Sequence, residues 1–342
     1  MKAAIYDPYL DTLGGGERYM ITAAQVLSEN GYKVDVEWRD QSIKDKLEDR
    51  FGIKIDKLNF VNSINRGSFY DVCFWLSDGS IPTLLARKNF LHFQRPFSKA
   101  GGKSLLNRMK LIRVSGVVVN SKFTKRWIDK EYGVESVVIY PPVMVDKFRP
   151  KKKEKIILYV GRFSQLEQAK RQDVLIEAFK KLYRSKGNID FSLVLAGSSD
   201  VGKTDFIDRL LEKSKNFPIK ILENPSFKDL KEIYSRALVF WSAAGFGINE
   251  KKEPQRLEHF GISLVEAMAS GAVPIAYSGG GHREIIDPGI NGFLWRDEHE
   301  LLSSTTNLLR DKRLLKKMSS QAKIDSQKFN LERFKREFEK LL

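Results

Sequence analysis

Short apolar runs rich in β-branched residues alternate with longer amphipathic segments along most of this chain, and that alternation is the strongest constraint on its fold. Such runs read as buried strands of a parallel sheet, and the segments between them as crossover helices that cover its faces. In the first half the runs are Ala3 to Tyr6, Lys33 to Glu37, Val72 to Trp75, Asn89 to Phe93, Gly116 to Asn120 and Ser136 to Tyr140. Tyr140-Pro141-Pro142 then makes a stiff turn, because proline fixes φ and keeps its predecessor out of the helical region. After the polar stretch Arg149 to Lys155 a second series begins with Ile156 to Val160, Phe191 to Ala196, Ile219 to Leu222, Leu238 to Trp241 and Val273 to Tyr277. The expectation is an α/β chain with two doubly wound domains, 1–148 and 149–328. Segment 329–342 places Phe334, Phe338 and Leu341 at helical spacing, and either closes the second domain or crosses back to the first.

Composition narrows the class further. No apolar run approaches the roughly 18 residues that a membrane-spanning helix requires. The start, Met1 to Asp7, lacks the pattern of a signal or transit peptide, so the chain reads as cytoplasmic. Cys73 is the one cysteine and cannot form an internal disulfide, while His92, His259, His282 and His299 show no metal-ligand spacing. Lys plus Arg number 59 against 43 acids, a net charge of +16, which suggests an anionic partner: nucleic acid, a membrane surface or a phosphorylated substrate. Between Asp78 and Asp129 there is no acid but eleven Lys or Arg, among them Arg95, Lys99, Lys103, Arg108 and Lys110. A solvated face is the plain alternative for such a run.

Ligands of open parallel sheets bind beyond the carboxyl ends of the strands, so the loops there are the candidates for chemistry. Gly14-Gly15-Gly16-Glu17-Arg18 precedes a helix over Tyr19 to Leu27 and lets backbone approach a phosphate, although it is not a GxGxxG pattern. Val160-Gly161-Arg162 ends a strand, and Lys170 stands just before a helix over Asp173 to Leu182; the two cations can converge on one pyrophosphate or remain surface charges. Glu258-His259-Phe260-Gly261-Ile262-Ser263 opens a short helix that Gly271 ends, with Ser263 as N-cap and Glu266 completing a capping box. Glu258 and Glu266 are eight positions apart and can reach different parts of a ligand, or Glu266 only caps the helix.

Glu258 to Glu266 resembles the E-x7-E motif of family 4 glycosyltransferases. Gly14 to Arg18, Asn120-Ser121-Lys122-Phe123-Thr124, Tyr140-Pro141-Pro142, Val160-Gly161-Arg162 and Lys170 follow that family's order. The Glu258-His259-Phe260-Gly261 wording and the Gly14 to Arg18 loop are most similar to the branch of dolichol-linked oligosaccharide mannosyltransferases. The resemblance covers essentially the whole chain and implies the GT-B fold, two Rossmann-like domains facing across a cleft. It also implies a retaining hexosyltransferase that needs no metal and no cofactor. The donor would be a nucleoside-diphosphate sugar, GDP-mannose favoured and a UDP-sugar also fitting, and the acceptor lipid-linked or another glycan. On this resemblance Arg162 and Lys170 hold the diphosphate, Glu266 the ribose and Glu258 the sugar hydroxyls, while Gly261, Ile262 and Ser263 supply backbone N–H groups. Gly15 and Gly16 approach the donor from the first domain, and His92 matches the histidine beside the reacting sugar, although a lone histidine after a strand also reads as a core residue.

The chain departs from the family pattern at Lys170-Arg171, where many relatives have Lys-Gly, and in an insertion at 247–257. Asp-x-Asp, the metal site of other transferases, is absent, in keeping with cationic side chains and a helix dipole at the leaving phosphate. Two further classes compete: a GT-B epimerase, phosphorylase or non-catalytic binder, and a basic nucleic-acid-binding protein. The last lacks any binding motif, so no nucleic-acid partner is expected. In the acid-free interval Leu105, Leu106, Met109 and Ile112 form one helical stripe, with Lys103, Lys110 and Arg113 placed largely away from it. The stripe either packs on the sheet or lies on an anionic membrane surface, with Gly101-Gly102 leaving the helix free to adjust.

Overall fold

The computed structural model describes residues 1–163, 168–185, 190–199 and 205–342 and divides into two compact units, Met1–Pro142 with Leu331–Leu342, and Val143–Asn330. The first unit runs β1 (Lys2–Tyr6), α1 (Gly15–Glu29), β2 (Lys33–Glu37), α2 (Ile43–Phe51), β3 (Leu58–Val61), β4 (Val72–Leu76), β5 (Lys88–Phe93), α3 (Leu105–Leu111), β6 (Gly116–Val119), α4 (Lys122–Tyr132) and β7 (Val137–Val138). Its strands are all parallel in the order β3-β2-β1-β4-β5-β6-β7. The second unit runs β8 (Glu154–Val160), α5 (Gln172–Ser185), β9 (Ser192–Gly197), α6 (Phe206–Ser214), β10 (Ile219–Glu223), α7 (Phe227–Arg236), β11 (Ala237–Ser242), α8 (Ile262–Ala269), β12 (Val273–Tyr277), α9 (His282–Ile285), β13 (Phe293–Trp295), α10 (Glu298–Arg310) and α11 (Lys312–Ser326). Its order is β10-β9-β8-β11-β12-β13, again parallel. Each sheet therefore reverses winding once, between β1 and β4 and between β8 and β11, and the crevice at such a switch point is where this architecture takes ligands.

β3 and β13 escape the sequence reading because both are short edge strands, four and three residues long and only partly buried. β7 shrinks to Val137–Val138, since the chain leaves the sheet at Tyr140-Pro141-Pro142. The division at 142/143 falls ahead of the expected boundary because Val143 to Phe148 packs into the second unit. Val143 N donates to Phe329 O at 3.0 Å, and the Phe148 ring meets Tyr234 edge-on at 5.3 Å.

The last helix, α12 (Leu331–Glu339), belongs to the first unit. Phe334 and Phe338 are wholly buried there, Phe334 edge-on to Tyr19 at 4.9 Å and Phe338 to Phe74 at 5.1 Å. Removing a buried Phe ring costs about 3 to 5 kcal/mol, so this short terminal segment is a structural part of a unit whose other residues lie nearly two hundred positions away.

Candidate functional site

In the second unit the chain leaves β8 through Gly161 and Arg162. Gly161 is required by packing, since a Cβ on it would stand 2.3 Å from the Tyr159 hydroxyl. The segment reaching Lys170 is strapped to the loop after β11: Ala169 N donates to Arg256 O at 3.0 Å and Gly245 N to Ala169 O at 2.7 Å. Lys170 Nζ thereby comes 2.8 Å from Glu258 Oε2, with the two side chains only 13% and 14% exposed. Burial would raise the Glu258 carboxyl, but the Lys170 ammonium beside it pulls it down to about 2, so it is charged at neutral pH.

Arg171 occupies the position where glycine is common in the resembling family, and its φ of +54° shows why: this is the left-handed region that favours glycine. The arginine is held there by Asp173 at 3.2 Å and by donation from Nη1 to Phe246 O at 2.7 Å, which ties the segment after Lys170 to the edge of the insertion.

Glu258 ends in a backbone turn that delivers the next residues to α8. Ser263 is not the N-cap, correcting the sequence reading: Gly261 is, with φ +120° and ψ +55°, a conformation closed to residues with a Cβ, and no side-chain cap bond is made. The capping box with Glu266 is accordingly not formed. Gly261, Ile262 and Ser263 thus sit at the first turn of α8, where backbone N–H groups lack helical partners. Glu266 lies one turn inside, 8% exposed, and Gly271 follows the helix at φ +75°.

The residues expected in the first unit fare differently. Gly15 and Gly16 open α1 after β1, where Gly14 N donates to Glu17 Oε2 at 2.6 Å. Gln94 Nε2 donates to Gly16 O at 2.9 Å, and a Cβ on Gly16 would fall 2.0 Å from the Gln94 amide oxygen. His92 has no solvent exposure: its ring lies over Tyr19 at 4.1 Å, its Nδ1 donates to Val118 O at 3.1 Å, and burial pushes its pKa down to about 3. Its Nε2 has no partner among the described residues. In this arrangement His92 is a buried, neutral residue stacked on Tyr19.

The helix α3 exposes the whole apolar stripe. Leu105 is 75% exposed, Leu106 70%, Met109 59% and Ile112 84%, so the stripe does not pack on the sheet. Lys99, Lys103 and Arg108 are exposed and Lys110 half-buried around it, and Arg95 lies over the Phe97 ring at 5.0 Å. Gly102 does not loosen this helix: it is buried, and a Cβ there would stand 2.5 Å from the Tyr132 ring.

Sequence reasoning missed the loop Gly279-Gly280-Gly281-His282, although its glycines directly follow a strand and carry the same signal as the other glycine-rich loops. Gly281 N donates to Glu258 O at 2.8 Å, and a Cβ on Gly280 would lie 2.0 Å from that oxygen. The loop is the bed on which Glu258 rests.

Two parallel-sheet Rossmann-like units, the second carrying this charged switch-point site, define the GT-B class of glycosyltransferases. The chain belongs to the family of glycosyl transferases group 1, whose model matches residues 143–325, more than half of it. It is 27% identical over 219 residues to an uncharacterized glycosyltransferase of Methanocaldococcus jannaschii, covering 64% of this chain and 56% of that protein. It is 29% identical over 210 residues to the GDP-Man:Man(3)GlcNAc(2)-PP-Dol alpha-1,2-mannosyltransferase of Mus musculus, covering 56% and 41%. The chain spans about half the length of the curated relatives it matches. Among solved structures, Anabaena HepE in complex with UDP superposes with a TM-score of 0.79 at 19% identity, covering 99% of each chain. A glycosyltransferase from Rickettsia africae gives 0.78 at 20%, covering 99% of this chain and 98% of that one.

Proposed function

We propose that this chain is a retaining hexosyltransferase that uses a nucleoside-diphosphate sugar, with GDP-mannose the favoured donor, and transfers to a lipid-linked or glycan acceptor without a metal ion. The observation that carries the reading is the buried Lys170–Glu258 pair, inside the family-matched region and beside the switch point of its sheet. A cation suited to a diphosphate and a carboxylate suited to sugar hydroxyls are held in one place, where a donor's two halves need them. Mannose is supported by the dolichol-linked mannosyltransferases among the relatives, while HepE was crystallised with UDP and glucose.

In this mechanism negative charge grows on the departing diphosphate as the sugar approaches an oxocarbenium-like state. Lys170 and Arg162 meet that charge, Arg162 from the end of β8 where it makes no ion pair among the described residues. The first-turn amides of Gly261, Ile262 and Ser263 add oriented dipoles. Glu258 orients the sugar hydroxyls and Glu266 the ribose. The acceptor attacks on the leaving group's own face, its proton passing to the β-phosphate oxygen, so configuration is retained.

The test is a thermal-shift and turnover screen with GDP-mannose, UDP-glucose, UDP-N-acetylglucosamine and the bare nucleotides, with and without EDTA. One nucleotide sugar should stabilise the protein and lose its sugar to an acceptor, with EDTA changing the rate less than twofold. Conversion of the sugar without acceptor would favour an epimerase, and intact donor would favour a binder.

The exposed stripe of α3 supports a membrane-borne acceptor, because an apolar face ringed by lysine and arginine matches an anionic bilayer surface. Each basic residue near such a surface contributes about 1 kcal/mol. Co-sedimentation with anionic but not neutral liposomes, released by salt and abolished when Lys99, Lys103, Arg108 and Lys110 become serine, is the expected result. Equal binding by that variant would remove the membrane from the proposal.

A further inference from the structure

His282 is the first residue of α9, 1% exposed, and it joins three elements around Glu258. Its Nδ1 lies 2.9 Å from Tyr277 O at the end of β12, and its Nε2 3.3 Å from Ser242 Oγ at the end of β11. A carbonyl oxygen only accepts, so Nδ1 carries the hydrogen of the neutral ring, and Nε2, left with a lone pair, accepts from the serine hydroxyl. Burial holds the imidazole below its ordinary pKa, against the pull of the Glu258 carboxylate and the Tyr277 bond, and with Lys170 and Arg283 also favouring the neutral form. Both ring nitrogens are thus satisfied with no charge added beside Lys170.

The ring also anchors the glycine loop on its N-terminal side. Gly279 to Gly281 connect Tyr277 and Ser278 to His282, and Gly280 and Gly281 lie against the backbone of Glu258 to Phe260 too closely for any side chain. A Cβ on Gly281 would be 2.5 Å from Phe260 Cα, and one on Gly261, the N-cap of α8, would be 3.5 Å from His282 Cδ2. Glu258 and the first turn of α8 are therefore moulded on a loop whose far end is pinned by one imidazole.

We propose that His282 is a positioning residue for the donor's sugar: through Ser242 and Tyr277 it pins the glycine loop that sets Glu258 and the start of α8, without itself touching the substrate. The inference rests on the donor-site reading above. It separates from a mere packing role because the loop lies closest to the backbone of Glu258 to Phe260, so a loosened mould weakens the grip on the sugar more than the grip on the diphosphate, which Arg162 still meets from a different loop.

The experiment compares Glu258→Gln, His282→Ala, His282→Asn and Ser242→Ala, in the full chain, using the nucleotide sugar that the donor screen identifies and its bare nucleoside diphosphate. The reading is the ratio of the two dissociation constants relative to wild type, together with kcat, KM and melting temperature. Glu258→Gln should shift the ratio against the sugar nucleotide by about tenfold or more, and His282→Ala should shift it in the same direction by a comparable factor. Ser242→Ala should do so more weakly, and His282→Asn, whose amide still offers a donor to the Tyr277 carbonyl, should recover part of the loss. If His282→Ala fails to fold, the Asn and Ser242 variants carry the comparison. A shift for Glu258→Gln but none for the His282 and Ser242 variants, or an equal weakening of both ligands with a lower melting temperature, overturns the positioning role. No shift even for Glu258→Gln overturns the donor-site reading, and this proposal with it.

Discussion

In the second unit Glu258 is sunk until its side chain is 14% exposed and stays charged, whereas in the first unit His92 is sunk completely and stays neutral. Both were candidates for chemistry, and both lie near the carboxyl edge of a parallel sheet. The difference is the company each keeps. Glu258 has an ammonium at 2.8 Å, whereas His92 has a carbonyl, two aromatic faces and an Nε2 without a partner among the described residues. Burial penalises a charge unless a counter-charge is built in beside it, which is why Glu258 stays ionised and His92 stays neutral. A further contrast lies in the glycines. Gly16 and Gly280 would each bring a Cβ to 2.0 Å of an oxygen, but in the first unit that oxygen ends a Gln94 side chain, and in the second it is the Glu258 backbone carbonyl.

The largest expected effect separates the two candidates directly. Glu258→Gln keeps an acceptor for Lys170 and so keeps the fold, but should lower turnover by about a hundredfold, equivalent to roughly 2.7 kcal/mol, while His92→Gln should leave turnover within about threefold of wild type. Steady-state kinetics on the two variants check this, and an equal loss in both would erase the distinction. Gly280→Ala should come next, costing about 2 to 3 kcal/mol in chemical denaturation because a backbone carbonyl cannot rotate away and φ there is +54°.

The pH dependence offers a sharper contrast. His92 has a folded-state value near 3 against about 6.5 when unfolded, so the unfolded chain binds more protons below pH 6.5. Its contribution to stability is then whole above that value and falls as pH drops, by at most about 1.4 kcal/mol per unit. Glu258, depressed to about 2, contributes fully above its ordinary range near 4.5 and loses that contribution only as pH falls towards 2. Between pH 7 and 5 only the histidine changes, so the stability gap between wild type and His92→Gln should narrow over that interval in denaturation curves. A constant gap would mean the ring is not held neutral. The smallest effect is Gly16→Ala, expected to cost about 1 kcal/mol, chiefly the lost Gln94 bond, because the amide can turn aside; a loss matching Gly280→Ala would show the two loops to be equally rigid.

Much of the fold was legible because period and composition are local properties. β12 falls at the expected residues and most other interior strands within a residue or two, since a parallel strand buried on both faces reads as a near-continuous apolar run. β2, Lys33-Val34-Asp35-Val36-Glu37, also falls at the expected residues but by its alternation. The edge strands β3 and β13 were not legible for the converse reason, a half-exposed edge needing no such run. The motif residues Arg162, Lys170, Glu258 and Glu266 were readable as residue types at particular spacings.

What the sequence determined by itself was therefore the alternation, the two sheets and the set of charged residues offered at their edges. Tertiary structure alone decided which of these meet: that Lys170 touches Glu258 across 88 positions, that His282 pins the loop beneath it, that α12 completes the first unit, and that the stripe of α3 faces outward while His92 turns in. Each depends on contacts distant in sequence, where burial sets whether a charge survives and chain connectivity sets which side chains are close enough to decide it.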